Sequence, residues 1–266
     1  MIRLLFISLL FVSCNGNTKR IAKQETTNYY VQAEEVQKQD TLLKGIQEKI
    51  YNAFVASLMA RDNKKLSGLS AELDRLYKDK KQNLVRYWQA YLQFYSSIYY
   101  LKKGDKKTAE KEIDKGIAWL KEMKRKNSED YALLAMLQGF SLQFKGMKAM
   151  FISGEIKKNA QAAIALDSTN LRGYYVYASN DFYTPEKYGG GKECEKYLLK
   201  AVSLPAQKIK NDYLPSWGKE ESYEMLIKYY IGKERWNDAK KYYREAIKLF
   251  PDSYILGQLA SKLVGR

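Results

Sequence analysis

The sequence of 266 residues contains no histidine, two cysteines and four prolines, and its acidic residues fall short of its basic ones, 30 against 46. Without imidazole there is no Ser-His-Asp or Cys-His triad and no His-ligated zinc. Carboxylates, Lys and Tyr are then the only side chains left for acid-base work. Cys14 and Cys194 are too few for a metal cluster or a disulfide framework, so no metal or cofactor is expected. All four prolines lie at or beyond Pro185. With 45% hydrophobic and 14% aromatic residues, this composition suits a packed, mostly helical chain and not a disordered one. Its length is enough for one large core or a run of small repeated units.

Long apolar runs are also missing, except at the start. After Met1-Ile2-Arg3 the chain is apolar from Leu4 to Val12 apart from Ser8, and then reaches Ser13-Cys14. A basic start, a short apolar core and a small residue before a cut form the pattern of an export signal. A spanning helix would need about 20 apolar residues. Residues 1–13 are therefore read as a signal peptide. Phe11-Val12-Ser13-Cys14 resembles the lipobox of bacterial lipoproteins, in which the cysteine becomes the acylated first residue of the mature chain; Phe11 departs from the aliphatic residue usual there. The resemblance implies lipidation at Cys14 and a membrane held through acyl groups. Residues 14–39 are polar and read as a tether. They lack an acidic cluster after Cys14, which, within that resemblance, implies an outer-membrane protein facing the periplasm.

From residue 40 to 266 apolar residues recur every three or four positions, as in Leu43, Ile46, Ile50, Phe54 and Leu58, the spacing of amphipathic helices. No alternating run bounded by hairpin signals is present. The pattern predicts about eleven helices, near 40–61, 64–79, 82–103, 105–124, 128–146, 149–166, 171–183, 189–203, 219–232, 235–249 and 252–264.

These helices repeat in pairs. Tyr223, Leu226, Tyr230, Ala239, Tyr243, Ala246 and Pro251 match the tetratricopeptide repeat, a helix-turn-helix unit of about 34 residues. In such a unit, large residues of the first helix enter the space left by small residues of the second. Tyr174, Tyr177 and Ala178 with Cys194, Leu198 and Ala201 give a second copy, in which Cys194 fills a small-residue slot as an inert buried thiol. Tyr100, Gly104, Ala109, Ile113 and Gly116 give a third. A stretched copy joins Tyr131, Leu134 and Ala135 to Ala160 and Ala163, and residues 40–79 fit a degenerate first pair. The chain thus resembles a tetratricopeptide-repeat lipoprotein over about 85–266. The segment from Pro185 to Gly191 is similar to an insertion, Pro-x-x-aromatic-Gly-Gly-Gly, carried by a bacterial subgroup of that family. The resemblance implies an all-α solenoid of helical hairpins, irregular because of its insertions.

Other motifs yield no chemistry. Gly189-Gly190-Gly191-Lys192 precedes a helix start, where backbone amides can bind anions, but the phosphate-loop spacing and a preceding strand are both absent. The glycines are expected to let the chain turn tightly after Pro185, with Tyr188 packing the turn. Lysines occur in scattered pairs such as Lys64-Lys65 and Lys106-Lys107, often near acids. That is a solvated helix surface with attraction for anionic lipid or polysaccharide, and no nucleic-acid site. Function then falls to the groove. In the family it resembles, the first helix of each pair lines a concave face, and the corresponding positions here are Tyr91, Phe94 and Ile98; Glu129, Ala132 and Met136; Arg172, Tyr175, Ser179 and Phe182; and Glu221, Glu224 and Lys228. The resemblance implies a non-catalytic scaffold that binds an envelope protein or peptide there, with Arg172 orienting it. A small-molecule pocket, as in a transporter-associated lipoprotein, is the alternative.

Overall fold

The computed structural model describes residues 41–265; the signal peptide, Cys14 and the tether lie outside them. The described residues form eleven α-helices and no strand. They run α1 Ile46–Ala60, α2 Lys64–Lys80, α3 Asn83–Lys102, α4 Lys106–Glu122, α5 Ser128–Ser141 and α6 Ala149–Leu166. Then come α7 Leu171–Tyr183, α8 Cys194–Ser203, α9 Lys219–Gly232, α10 Trp236–Leu249 and α11 Tyr254–Leu263. Three of these helices depart from the helical spacing of the sequence. The chain enters α1 only at Ile46, because Gly45 takes a left-handed φ of 64°. After Ser141 two short 3-10 helices, Leu142–Phe144 and Gly146–Lys148, replace the end of the fifth predicted helix. The start of α8 is delayed to Cys194 by the glycine turn.

Side chains that compete for backbone hydrogen bonds set several helix starts. Asp105 accepts from the Thr108 N–H at 2.9 Å, and Asn127 and Asp130 form a reciprocal box at the head of α5. Asn170 and Ser253 cap α7 and α11. Such caps satisfy amides that the helix itself leaves unpaired, at about 1 kcal/mol each.

Consecutive helices pack as antiparallel hairpins, α1/α2 to α9/α10, with α11 covering the last pair. The first helices of successive hairpins also touch one another, which makes a solenoid. The small-residue slots are filled as the repeat requires: Gly116, Ala163, Ala201 and Ala246 are all buried. Gly116 shows why size matters there. A Cβ on it would lie 2.9 Å from Leu137 Cδ2 and 3.2 Å from the Ala90 carbonyl oxygen, so α4 could not approach α3 and α5 as closely. Cys194 is a buried free thiol, and burial pushes its pKa up to about 12, away from any reactive thiolate.

The turn between α7 and α8 follows the glycine expectation in its backbone and departs from it at Tyr188. Gly189 and Gly191 take left-handed φ values of 88° and 77°. A Cβ on Gly190 would fall 1.8 Å from the Thr184 carbonyl oxygen, so only glycine fits. The Asp181 carboxylate accepts from the Glu193 and Cys194 N–H groups at 2.9 and 2.8 Å. It occupies the anion position of the α8 start with the protein's own charge, which disposes of a phosphate reading. Tyr188 is exposed with Lys187 over its ring, and does not pack the turn.

One long connection changes the shape of the molecule. Between α8 and α9, residues 204–218 leave the fourth hairpin and return to the first helices. The Gly45 N–H donates to the Asp212 carbonyl at 2.9 Å, Trp88 Nε1 to the Tyr213 carbonyl at 3.0 Å, and the Ser216 N–H to Gln47 Oε1 at 2.8 Å. Leu214 and Trp217 are buried in the same apolar core as α1 to α6. The first core also takes in Val176 and Tyr177 of α7, and the rest, from Ala178 to α11, forms a second cluster around Leu226, Tyr230 and Ala246.

Candidate functional site: a concave groove half closed by a strap

The first helices of the hairpins, α3, α5, α7 and α9, carry the predicted groove residues. The segment 204–218 crosses their N-terminal ends as a strap, and its anchor is Trp217. Trp217 Nε1 donates to Tyr87 Oη at 2.7 Å; its ring lies 6.5 Å from that of Tyr91 and 6.3 Å from that of Tyr175. One indole therefore joins α3, α7 and the start of α9.

Arg172, expected to orient a partner, is turned to structure instead. It is 4% exposed and forms a two-pronged ion pair with Glu129. Its Nη1 also donates to the Ala206 and Trp217 carbonyls at 2.9 and 3.0 Å. A guanidinium suits this duty because its fixed fork meets a carboxylate in plane while leaving further N–H groups for carbonyls. Its charge holds the strap to α5 and α7. Tyr91 is likewise covered, 4% exposed. These two residues belong to the closed half of the concave face.

The other predicted positions line the open half. Phe94, Ile98, Met136, Tyr175, Ser179, Phe182, Glu224 and Lys228 are each half-buried, so the fold brings them to one face with part of every side chain accessible. Neighbouring rings extend the strip. Phe94 packs edge-on against Phe140 with centroids 5.0 Å apart, and Phe140 reaches Phe144 at 6.1 Å. Tyr95 meets Tyr91 at 5.4 Å and Tyr51 at 6.1 Å. Tyr51, Tyr95 and Phe140 were not selected from the sequence. Their spacing is indistinguishable from that of core residues, and only the curvature of the solenoid exposes them. Of the three other aligned positions, Ala132 is fully buried, Glu129 is spent on Arg172, and Glu221 serves the α9 start.

Electrostatics across the groove are quiet. Burial raises the pKa of Tyr91 and Tyr175 well above the ordinary phenol value and that of Tyr95 to about 12, with the Glu221 carboxylate adding to each. These phenols stay protonated and can donate hydrogen bonds. Glu221 accepts from the Gly218 N–H at 2.8 Å, and burial raises its own pKa. Glu224 pairs with Lys228 one turn on. The strip thus offers rings, a thioether and phenolic hydroxyls, with one matched ion pair at its far end.

A separate cleft lies under the strap, lined by Asn127, Glu129, Asn170, Arg172, Ala206 and Lys208 among others. Its cavity volume is about 50 Å³, room for a few waters. Among the described residues no group of acidic or cysteine side chains is arranged to hold a metal ion.

No protein-family model matches the chain, and no curated protein sequence matches it significantly. Similarity appears among solved structures. A thermophilic tetratricopeptide-repeat protein of Thermus thermophilus, TTC0263, superimposes with a TM-score of 0.52 at 15% identity, covering 81% of this chain and 99% of the other. The HusA haemophore from Porphyromonas gingivalis gives a TM-score of 0.48 at 21% identity, over 69% of this chain and 92% of that one. The first likeness agrees with the hairpin geometry: the chain has a tetratricopeptide-like all-α fold.

Proposed function

We propose that this tetratricopeptide-like solenoid is a non-catalytic binding protein, acylated at Cys14 and tethered to a bacterial envelope membrane, probing the periplasm with its concave groove. The observation that carries the reading is the open strip itself. Half-buried apolar and aromatic side chains from α3, α5 and α7 line it with hydrogen-bond donors between them, and α9 adds the Glu224–Lys228 pair. Such a surface suits a segment of a partner polypeptide, whose apolar side chains would bury against Phe94, Met136 and Phe182 while its backbone meets tyrosine hydroxyls.

The test is site-specific photo-crosslinking in intact cells. A photoreactive residue at Phe94 or Phe182 should capture one envelope protein, a residue at exposed Lys111 on α4 should not, and Tyr175→Ala with Phe182→Ala should abolish the product. Equal capture at Lys111 would refute the groove. Loss of membrane association in Cys14→Ala, with wild-type association resisting high salt, is the result expected of the anchor.

A second reading, a small ligand in the same strip, is favoured by the strap, because Trp217 closes one end and turns an open groove into a slot. Ligand-dependent thermal stabilisation that disappears in Phe182→Ala would select this reading over a polypeptide partner.

A further inference from the structure

The groove leaves one edge of the solenoid unexplained. Each hairpin turns at the same edge, where the first helix ends and the second begins, and a chain of contacts aligns these turns in a row. Asn63 Nδ2 after α1 donates to Tyr100 Oη near the end of α3 at 2.7 Å. Lys145 after α5 pairs with Glu110 and Asp114 of α4 at 2.8 and 2.6 Å. Ser153 of α6 donates to Asn180 of α7 at 3.0 Å. Lys233 after α9 pairs with Glu186 after α7 at 3.4 Å.

This edge concentrates large apolar side chains in water. Met59, Met147, Met150, Phe151, Tyr183 and Tyr188 all lie on it, and Met147 is 97% exposed and Phe151 77%. The Ser153–Asn180 bond sets the first turn of α6, bearing Met150 and Phe151, against the last turn of α7, bearing Tyr183. Among them stand exposed cations: Lys102, Lys103, Lys106, Lys107, Lys148 and Lys187. Most acids nearby are already engaged, exposed Glu234 in the last turn excepted. Glu110 and Asp114 hold Lys145, Glu186 holds Lys233, Glu195 and Asp238 hold Arg235, and Asp105 and Asp181 cap helices. The edge therefore presents apolar side chains within a field of positive charge.

We infer that the hairpin-turn edge is a docking surface for an anionic lipid bilayer, with Met147, Met150 and Phe151 entering the boundary between headgroups and acyl chains and the surrounding lysines facing phosphates. Flexible thioethers and a phenyl ring exposed around the start of α6 lose water on entering that boundary, and each nearby Lys gains from the surface potential of the membrane. A protein partner would need matched acids and shaped contacts, whereas a fluid anionic surface needs only this sign of charge and these exposed side chains. Docking by this edge would stand the solenoid on the membrane and leave the concave groove open sideways.

The test is independent of both the acyl anchor and the groove. Residues 14–266 carrying Cys14→Ser are sedimented with vesicles of neutral phosphatidylcholine alone or with added phosphatidylglycerol. Binding should appear on the anionic vesicles, weaken as salt rises, and fall at least tenfold in Met147→Ser, Met150→Ser, Phe151→Ser. Lys102→Glu with Lys106→Glu should weaken it independently, and Lys200→Glu, exposed near the far end of α8, should leave it unchanged. All the substituted edge residues are exposed, so melting temperatures should match the parent and separate lost docking from lost folding. No sedimentation with anionic vesicles, or equal binding by the triple serine variant, would overturn the inference.

Discussion

The two halves of the concave face are built from the same helices and have opposite duties. At the N-terminal ends of α3 and α7, Tyr87, Tyr91 and Arg172 meet the strap and are sealed, with Glu129 of α5 paired to Arg172. Toward the C-terminal ends, Phe94, Met136, Ser179 and Phe182 stay half-exposed. Nothing in residue type separates the halves, for each mixes rings with a charged pair: Arg172–Glu129 in one, Lys228–Glu224 in the other. What separates them is the connection 204–218, which buries the cation of one pair, Arg172, and leaves that of the other, Lys228, at the surface. Buried, an ion pair is costly to break; exposed, it contributes little. The strap thus converts half of a recognition surface into a core.

Removing the strap's anchor should have the largest effect on that contrast. Trp217→Ala discards a buried indole, its hydrogen bond to Tyr87 and its contacts with Tyr91 and Tyr175. A loss of about 3–5 kcal/mol in urea unfolding is expected, and Tyr91 should become reactive toward a tyrosine-modifying reagent. Arg172→Ala should cost a similar or slightly smaller amount, about 3–4 kcal/mol, because it strands Glu129 and two carbonyls without their partner. Arg172→Lys should recover only part of it, since an ammonium cannot span both carboxylate oxygens and both carbonyls.

A pH-dependent effect belongs to Asp130, beside the sealed half. It is fully buried with Oδ1 lacking a hydrogen-bond partner, and burial raises its pKa to about 7. In the unfolded chain it titrates near about 3.9. The folded state binds the proton more tightly, so this group makes the protein more stable below the lower value and progressively less so as pH rises to about 7. The slope approaches about 1.4 kcal/mol per pH unit. Asp130→Asn should flatten the pH dependence of the melting temperature between those limits; an unchanged profile would assign the slope to other groups.

The smallest effect on stability is expected in the open half. Phe182→Ala and Tyr175→Ala should each cost less than the sealed-half variants while removing partner capture, and Lys228→Ala should shift stability by under about 0.5 kcal/mol. If Phe182→Ala destabilises as much as Trp217→Ala, the open strip is core and the comparison fails.

Much of this fold was legible in the residues. The alternation of Tyr223, Leu226 and Tyr230 with Ala239 and Ala246 defines a hairpin because large and small residues must interlock, and that rule is local. Helix ends were read less accurately where a side chain from elsewhere intervenes, as when Asp181 supplies the α8 amides and postpones that helix to Cys194. The groove was legible in part. Repeat positions located the strip, but the register treats Arg172 and Phe182 alike, as lining residues. Tyr51, Tyr95 and Phe140 were invisible because an aromatic residue at helical spacing looks the same whether it faces a core or a groove.

The sequence by itself determined the helices, their pairing and the small-residue slots, since each depends on side chains three or four positions apart or on the neighbouring helix. Tertiary structure alone decided which end of the concave face is open. That outcome depends on Trp217 reaching Tyr87, 130 residues away in the chain, and on Ser216 reaching Gln47 across 169 residues. Such contacts follow no local period; they exist only once the solenoid has curved far enough to bring its first hairpins within reach of the strap.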